Sequence, residues 1–445
     1  MPELESFYSI PNQELQTILA EAICQEHAFH YERNAAYRRT VSGRGISLRI
    51  CQADFASLLR PAALTFKEYI ERIGPFPQDH PVEFLTWLQD QVSIQLPGTH
   101  RASLHRRYAS LDALLQAIET SYFDLGLEIV TSSGTSGLAS FVLRDRPTVE
   151  LAVRSFFTGI QRSWQIQRGL ALIFMMPRQT RVAMARVARL GTRTLGWGED
   201  SPVYYTIPFE ATPDQIRVRS GRLYRPGLQG WLERKVLNPF MERAYDRLAT
   251  PRILKLTEKH LRECVQAARP LLLLGGMSQL HILAKDLLLQ NGPVPLPAGS
   301  RVATGGGIKD RYPFTPSQIR SDLLETFPGT PVRDVYGMAE ANWAAFECPA
   351  GNYHLPPWVY AVVTDEDDRI VFGPDTTGQL AFFDPFGGGK LVPPFFQTAD
   401  QVRLVNGSTT HEPELGCPCG EAAAYIAGRI QRVDLVEEAG CAGQV

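Results

Sequence analysis

The first 125 residues carry apolar side chains at intervals that are typical of α-helices. Between Gln13 and Cys24 the apolar residues recur every three or four positions, which places them on one face of a helix. The stretches 82–88 and 111–118 show similar spacing. The pattern therefore predicts a mainly helical N-terminal region over residues 1–125, and no motif in it indicates a chemical role.

Between residues 126 and 357 the pattern changes to short apolar runs that end in small or turn-forming residues and precede helix-like segments. These runs are 127–130, 170–176, 271–274, 301–303 and 332–335. Repeated strand–loop–helix units predict a largely parallel sheet with helices on both faces. We therefore expect an α/β core in this part of the chain.

Residues 358–430 are rich in β-type segments separated by turns of glycine, proline and aspartate. The segments are 359–364, 369–372, 379–383 and 401–404. Short strands joined in this way predict a small, strongly bent β-subdomain. Residues 431–445 are expected to form a short tail.

The bulk composition narrows the classes of protein that fit. The chain has 445 residues, 44% hydrophobic and 21% charged, as in globular proteins, and its formal net charge is −2. This charge gives no indication of a nucleic-acid groove or an anionic membrane surface. The N-terminus lacks the features of a signal peptide, and no transmembrane helix is expected. Together with seven cysteines, an odd number, this favours a reduced, cytoplasmic setting.

The most informative segment is 131–137, which contains only serine, threonine and glycine and directly follows an apolar run. Small hydroxyl side chains and glycine backbone N–H groups can surround a phosphate closely, although such loops also occur as linkers. The segment is not a Walker loop, because only two residues separate Gly134 from Gly137 and Ser140 stands where a lysine is expected.

Four of the five predicted strands are followed within four residues by glycine. Ligands of parallel α/β sheets bind beyond the carboxyl ends of the strands. We therefore expect four glycine-containing segments on one rim, where a single nucleotide could contact them all. They are residues 131–137, Gly275 with Gly276, Gly305 to Gly307, and Gly337.

Three further motifs follow in order: residues 334–340, residues 397–400 and Gly428 with Arg429. Together with the 131–137 loop they resemble the adenylate-forming superfamily. The likeness covers about residues 120–435 and is greatest to the bacterial bioluminescence acyl-protein synthetases and the phenylacetate–CoA ligase-like branch. It also includes Ser140, residues 304–309, Glu347 with Cys348, and residues 354–356.

The resemblance implies the fold of an adenylate-forming N-terminal domain with layered α/β sheets. It implies that a carboxylic acid reacts with ATP to give acyl-AMP and pyrophosphate, and that 126–357 is the nucleotide- and acyl-binding core. The pyrophosphate portion would be held by Ser132, Ser133, Gly134, Thr135, Ser136 and Gly137. The adenine would stack on Tyr336, beside Gly337 and Met338, with room left by Gly305, Gly306 and Gly307.

The same resemblance implies that Glu340 and Thr135 ligate Mg²⁺. Asp400 would bind the ribose hydroxyls, and Arg429 would reach the ribose from the end of the main domain. Three of these residues could instead have a purely structural role. Tyr336 could be a core aromatic, Glu340 a charge in the first turn of a helix, and Asp400 a turn residue.

Two departures from the family pattern leave the activity open. Ala339 stands where a threonine hydroxyl is usual, a role that Asn342 could take over. The mobile C-terminal ligase domain is expected to be absent, so a carrier protein or reductase partner is favoured over free coenzyme A as acyl acceptor. The acid is fatty or aromatic. Alternatives are a stand-alone amide-forming ligase of secondary metabolism and a non-catalytic nucleotide-binding scaffold.

The cysteines provide two further candidates. Cys348, His354, Cys417 and Cys419 form two tight pairs and suit a structural tetrahedral Zn²⁺ site, of a kind that the resembling branch also has. Cys441 lies in a stretch of small residues and resembles the acyl-accepting tail cysteine of the bioluminescence enzymes. An incidental exposed cysteine is an equal reading, because neighbouring glutamates disfavour a thiolate.

Overall fold

The structure is a computed structural model that describes residues 4–97, 104–132, 138–166, 169–194, 201–307, 312–406 and 415–432. The chain divides into two compact units. Unit 1 takes the residues up to Ile129, Phe141–Thr158 and those from Glu340 onward, and unit 2 takes Val130–Ser140 and Gly159–Ala339. Within the described ranges, none of the helices combines the length and apolar character needed to span a bilayer.

Unit 2 is built on a five-stranded parallel sheet. In spatial order its strands are Val332–Gly337, Arg301–Gly305, Leu271–Gly276, Ala171–Pro177 and Val203–Ile207. The strands Leu271–Gly276 and Ala171–Pro177 are buried along almost their whole length. Both lie inside the sheet, with strands on either side, which explains their nearly continuous apolar sequences.

Helices of unit 2 cover this sheet through side chains such as Leu280, Leu287 and Leu323, which share one core with the strands. The α-helices are Ala183–Thr194, Pro213–Ser220, Gly227–Leu232, Asn238–Ala244, Thr250–Gln266, Met277–Asn291 and Pro316–Thr326, and the π-helical segments are Glu233–Leu237 and Tyr245–Ala249. Two of these helices begin with a capping box. The Thr212 side chain accepts a hydrogen bond from the backbone N–H of Gln215, and the Gln215 side chain accepts one from the backbone N–H of Thr212. Thr315 and Gln318 form the same pair of bonds at the other helix.

Unit 1 contains an antiparallel sheet whose longest strands carry its aromatic core. In spatial order the strands are Ile370–Val371, Tyr360–Thr364, Asp375–Phe383, Phe395–Val405, Tyr425–Ile426, Tyr353–His354 and Ala344–Glu347. Arg60–Pro61 and Gln431–Arg432 also pair with Phe395–Val405. A bulge between Gln379 and Ala381 interrupts the longest pairing, and a bulge of this kind bends a strand.

The helical N-terminal region is the other part of unit 1. Its α-helices are Asn12–Arg33, Ala35–Ser42, Phe55–Leu58, Ala62–Thr65, Tyr69–Ile73, Pro81–Gln91 and Leu111–Ser121, and Arg146–Trp164 runs across the boundary between the units. Asn34 and Ser110 cap two of these helices through their side chains. The Ser93 N–H donates to the carbonyl of Leu391 at 2.7 Å, which ties this region to the segment before Phe395–Val405.

The structure confirms the α/β fold class and corrects one strand. The run predicted at 127–130 forms Glu128–Thr131, but this strand is not a member of the parallel sheet. Val203–Ile207 fills the fifth place instead; it is an edge strand whose first three residues are only partly buried, so it lacks the apolar signal. The consecutive bounds 1–125, 126–357, 358–430 and 431–445 stay a prediction.

Candidate functional site

The predicted phosphate loop is closed at its base by hydrogen bonds in unit 2. The Ser132 N–H donates to the Ser140 carbonyl at 3.2 Å, and the Ser140 N–H donates to Ser132 Oγ at 3.0 Å. Thr131 donates to the carbonyl of Arg181, which lies shortly after the strand Ala171–Pro177, at 2.7 Å. The base of the loop therefore lies near the carboxyl end of that strand. Ser133, Gly134, Thr135, Ser136 and Gly137 lie outside the described residues.

The glycine-containing strand ends of unit 2 lie side by side. Gly276 is in register with Gly305, and Gly305 is in register with Val335. The next residues of the latter two strands, Gly306 and Tyr336, therefore lie beside each other. Gly306 and Gly307 have φ values of +80° and +63°, which side chains other than glycine rarely adopt. The rim expected from the sequence is present for these segments.

Tyr336 lies at the end of Val332–Gly337 and is half-buried, as is Met338. A side-chain carbon built at Gly305 would find its nearest atoms, including the carbonyl oxygen of Val335, only at 3.8–3.9 Å. The Thr304 hydroxyl donates to Asp334 Oδ1 at 2.5 Å and links the two strands that carry this feature. An added carbon at Gly305 would thus make only ordinary van der Waals contacts.

Unit 1 gathers a second group of predicted residues around a lysine that the sequence analysis missed. Burial lowers the pKa of Lys67, the nearby Glu340 carboxylate acts in the opposite sense, and Arg432 lowers it further. Asp400 lies opposite Arg432 in the strand pairing. Glu340, Lys67, Arg432 and Asp400 therefore belong to one electrostatic neighbourhood. No motif surrounds Lys67, so only the fold reveals it.

Arg429 is exposed and lies two residues before the strand Gln431–Arg432, which pairs with Asp400 and Gln401. Gly428, at φ +68°, turns the chain here and donates its N–H to Asn352 Oδ1 at 3.3 Å. The predicted ribose-binding residues Asp400 and Arg429 thus belong to neighbouring segments of unit 1, and Arg429 lies three residues before the strand partner of Asp400.

Glu340 also lines a small cavity of unit 1 together with Arg144, Asn342 and Asp384. The cavity of about 20 Å³ has room for one water molecule and not for an acyl chain. Arg144 Nη2 donates to the carbonyl of Ala341 at 2.7 Å, and Asn342 Nδ2 reaches the Gly388 carbonyl at 3.5 Å. These contacts fix the segment that follows Ala339.

Asp384 is the buried acid of this cavity. Its Oδ1 accepts a hydrogen bond from the Gly387 N–H at 2.8 Å, while Oδ2 has no hydrogen-bond partner among the described residues. Burial raises the pKa of Asp384 to about 7, and the neighbouring backbone N–H groups only partly counteract it. Burial therefore favours the protonated form of this side chain in the folded protein.

The four predicted zinc ligands come together in unit 1. Cys348 follows the strand Ala344–Glu347, His354 lies on the strand that pairs with it, and Cys417 and Cys419 belong to a turn closed by Gly420. Their ligand atoms all lie within 4.8 Å of one another. The Sγ atoms of Cys348 and Cys417 are 3.7 Å apart, and Cys419 Sγ is 3.2 Å from His354 Nε2.

These distances fit a metal better than a disulfide. A tetrahedral zinc ion with Zn–S bonds near 2.3 Å places two sulfurs roughly 3.8 Å apart, close to the separation between Cys348 and Cys417. All four side chains are of types that bind Zn²⁺, and Cys348, His354 and Cys417 are buried. The predicted ligand set is therefore assembled, and the identity of a bound metal stays a prediction. Cys441 lies outside the described residues.

Similarity to known proteins agrees with this architecture. No protein-family model matches the chain. A curated relative, the long-chain-fatty-acid–luciferin-component ligase of Aliivibrio fischeri, is 26% identical over 169 residues, which cover 36% of this chain and 43% of the relative. The match thus spans less than half of that protein's length.

Solved structures of 2-hydroxyisobutyryl-CoA ligase have the same fold. The open conformation, in complex with 2-HIB-AMP and CoA, gives a TM-score of 0.58 at 14% identity and covers 96% of this chain and 71% of the ligase. The thioesterification state gives 0.59, also at 14% identity, with coverage of 96% and 70%. Together with the curated relative, the shared fold agrees with the resemblance of the sequence to the adenylate-forming superfamily.

Proposed function

We propose that the protein activates a carboxylic acid with ATP to give acyl-AMP and pyrophosphate. The observation that carries this proposal is the rim of unit 2, where Gly305 to Gly307 lie beside the half-buried Tyr336. The solved ligases that share the fold are complexes with an acyl-AMP. A carboxylate oxygen of the acid would attack the α-phosphorus in line with the departing pyrophosphate.

Such a reaction depends on positioning and charge neutralisation rather than on covalent chemistry by side chains. The loop from Ser132 to Gly137 would hold the pyrophosphate portion through hydroxyl and backbone N–H groups. Tyr336, with Gly337 and Met338, would hold the adenine. Lys67 would add a positive charge beside Glu340, a contribution that its partial burial makes larger than at an exposed position.

Magnesium would be held by Glu340 and Thr135, whose oxygen atoms are the donors that this hard cation prefers. Half-buried Glu340, with Lys67 as its charge partner, fits this role because it presents a carboxylate at a site with restricted access to water. When bound, the ion neutralises negative charge on the phosphates. Asp400 would accept hydrogen bonds from the ribose hydroxyls, and Arg429 would approach the ribose from the following segment.

The acyl group would then pass to a thiol. A carrier protein or a reductase partner is the acceptor we favour, coenzyme A is another, and Cys441 is the candidate within the chain. A fatty acid is the first substrate to test, because the curated relative is named for long-chain fatty acids; an aromatic acid is the second. Labelled acyl groups that attach equally to wild type and to Cys441→Ala would exclude Cys441 as the acceptor.

We also propose that Cys348, His354, Cys417 and Cys419 bind a structural zinc ion. A small apolar cluster, which includes Val405 and Tyr425, packs around Cys348 and Cys417. A metal that joins the turn at Cys417 to the strand pair near His354 would hold these short elements together. Its role would be stability of this part of unit 1 rather than catalysis.

ATP–pyrophosphate exchange over a panel of acids tests the proposed reaction. We expect exchange that depends on an added fatty or aromatic acid, strong loss in Glu340→Gln, and normal exchange in the matched control Glu366→Gln in an exposed turn. ATP binding without exchange under any acid would instead support a nucleotide-binding scaffold. Exchange followed by transfer to amines, but not to thiols, would support an amide-forming ligase.

A further inference from the structure

Unit 2 exposes a continuous line of large apolar side chains on one long helical segment. Leu228, Leu232, Val236, Phe240 and Leu248, here called the apolar row, are between 45% and 74% exposed. Four of the five follow one another at intervals of four residues, and Leu248 continues the series after Ala244. Exposed apolar side chains arranged in a contiguous line on a folded unit indicate a surface that binds something.

The interval of four residues is explained by the two π-helical segments, Glu233–Leu237 and Tyr245–Ala249. An α-helix has 3.6 residues per turn, and a π-helical turn contains more. The alternating α and π segments therefore average roughly four residues per turn, and side chains four apart lie along one face. From Leu228 to Leu248 the row is about 30 Å long, at about 1.5 Å per residue.

The buried side chains in the first part of this helical segment are polar, whereas Tyr245 and Ala249 further along pack against the apolar core of unit 2. Glu233 accepts two hydrogen bonds from the Arg217 guanidinium, both at 2.9 Å, and a third from the Arg225 N–H at 3.1 Å. Asn238 Nδ2 donates to the carbonyl of Val218 at 2.6 Å. At Gly230 the helix approaches Arg225 so closely that a side-chain carbon would overlap its carbonyl.

In the first part of the segment, burial is thus inverted relative to an ordinary surface helix, whose apolar side faces the core. The polar contacts of Glu233 and Asn238 fix the rotation of the helix and turn the apolar row outward. Because charged and amide groups are costly to bury without partners, this orientation is specified by the sequence. These buried contacts therefore hold the apolar row on the surface of unit 2.

Charge is distributed unevenly around the row. With four residues per turn, Trp231, Lys235, Arg243 and Arg247 fall on the line next to it, whereas Arg234, Glu242 and Asp246 fall on the line opposite. Residues 217–255 contain ten lysines and arginines but three acidic residues, in a chain whose net charge is −2. The overall charge therefore conceals a strongly basic segment, contrary to what the bulk composition suggested.

We propose that the apolar row and its flanking basic residues bind the surface of an anionic lipid bilayer, with the helix axis in the membrane plane. An apolar row edged by lysine, arginine and tryptophan is what interfacial helices use to enter the boundary between headgroups and acyl chains. The row is long and without polar side chains. A flat, fluid surface fits it better than a pocket on an acidic protein, which would need matching hydrogen bonds. This proposal goes beyond acyl activation and does not depend on it.

Flotation of the purified full chain with lipid vesicles tests the proposal. We expect binding to phosphatidylcholine vesicles that contain phosphatidylglycerol, weaker binding to phosphatidylcholine alone, and a decrease with added salt. The double variant Leu228→Ser/Phe240→Ser should reduce the partition coefficient about tenfold or more, since burying these side chains supplies the apolar contribution. Leu289→Ser, at an 87% exposed position on another helix of the same unit, is the matched control and should bind normally.

Two double variants that remove charges of opposite sign distinguish binding to anionic lipid from nonspecific hydrophobic adsorption. Arg243→Gln/Arg247→Gln should lose the preference for anionic vesicles, while Glu242→Gln/Asp246→Asn, on the opposite line, should not weaken binding. Circular dichroism melting checks that every variant folds, which is expected because all of these side chains are exposed.

Three results would overturn the proposal. The wild type could fail to bind anionic vesicles, which would favour a protein partner. Leu289→Ser could lose binding as much as the double variant. The wild type could be a dimer by light scattering that Leu228→Ser/Phe240→Ser dissociates, which would assign the row to a second copy of the chain.

Discussion

Replacing Asp384 by asparagine tests whether this buried acid is protonated in the folded protein. The amide keeps the shape of the side chain, and its oxygen can still accept the hydrogen bond from the Gly387 N–H, which is 2.8 Å long in the wild type. What the substitution removes is the titrating proton. All other ionisable groups, including the nearby Glu26 and its partner Lys390, are the same in both proteins.

The size and sign of the effect follow from the two pKa values. An aspartate side chain in water has a pKa of 3.8, and burial raises the pKa of Asp384 to about 7 in the folded state. Between these values the unfolded chain releases the proton that the folded chain keeps, so rising pH favours unfolding. The wild-type contribution is complete below the unfolded pKa and is lost as the pH rises to the folded pKa. The difference corresponds to at most about 4 kcal/mol.

Urea unfolding of the wild type and of Asp384→Asn at a series of pH values from about 4 to about 8 measures this loss. We expect the free energy of unfolding of the variant, relative to wild type, to increase steadily with pH and to level off above the folded pKa. Subtracting the two curves cancels the other titrating groups. A difference that stays constant across the series would refute a protonated Asp384.

Three further predictions address the glycines at the strand ends of unit 2, the proposed zinc site and Lys67. Gly275→Ala should destabilise the protein by about 1–3 kcal/mol, because the added carbon would lie 2.9 Å from Met175 Cβ. Gly305→Ala should fold normally, yet calorimetry should show that it binds ATP at least about tenfold more weakly. If both variants destabilised the protein equally, the packing described for these two glycines would be contradicted. Mass spectrometry of metals should find about one zinc per chain, which is lost in Cys417→Ser and kept in the exposed control Cys51→Ser; a metal-free wild type would exclude the centre. Lys67→Ala should lower pyrophosphate exchange about tenfold or more, with little effect in the control Lys255→Ala; unchanged exchange would remove Lys67 from the site.

Much of the fold could be predicted from the sequence because the decisive signals are local. Buried parallel strands have uninterrupted apolar runs that end at glycine, so the sequence predicts Leu271–Gly276 and Arg301–Gly305 to within two residues. The meeting of Cys348, His354, Cys417 and Cys419 was predictable because paired cysteine and histidine residues are typical metal ligands. In both cases residue type alone restricts the structure strongly.

The features that escaped prediction depend on tertiary context. Val203–Ile207 is a partly exposed edge strand that contains two tyrosines, and its pattern is not that of a buried strand. Lys67 becomes notable only because the fold brings Glu340 and Arg432 near it. The outward orientation of the apolar row follows from the partners of Glu233 and Asn238, most of which lie 16 to 20 residues away and carry no local signature.

Hydrogen–deuterium exchange with and without ATP and Mg²⁺ tests most directly whether distant segments hold one nucleotide. Peptides that cover residues 131–140, 304–307, 334–338 and 398–402 should all exchange more slowly with the nucleotide, over the same concentration range, while Ile370–Val371 should not change. Protection confined to one of these four peptides, or the absence of any protection at saturating ATP, would contradict the nucleotide site.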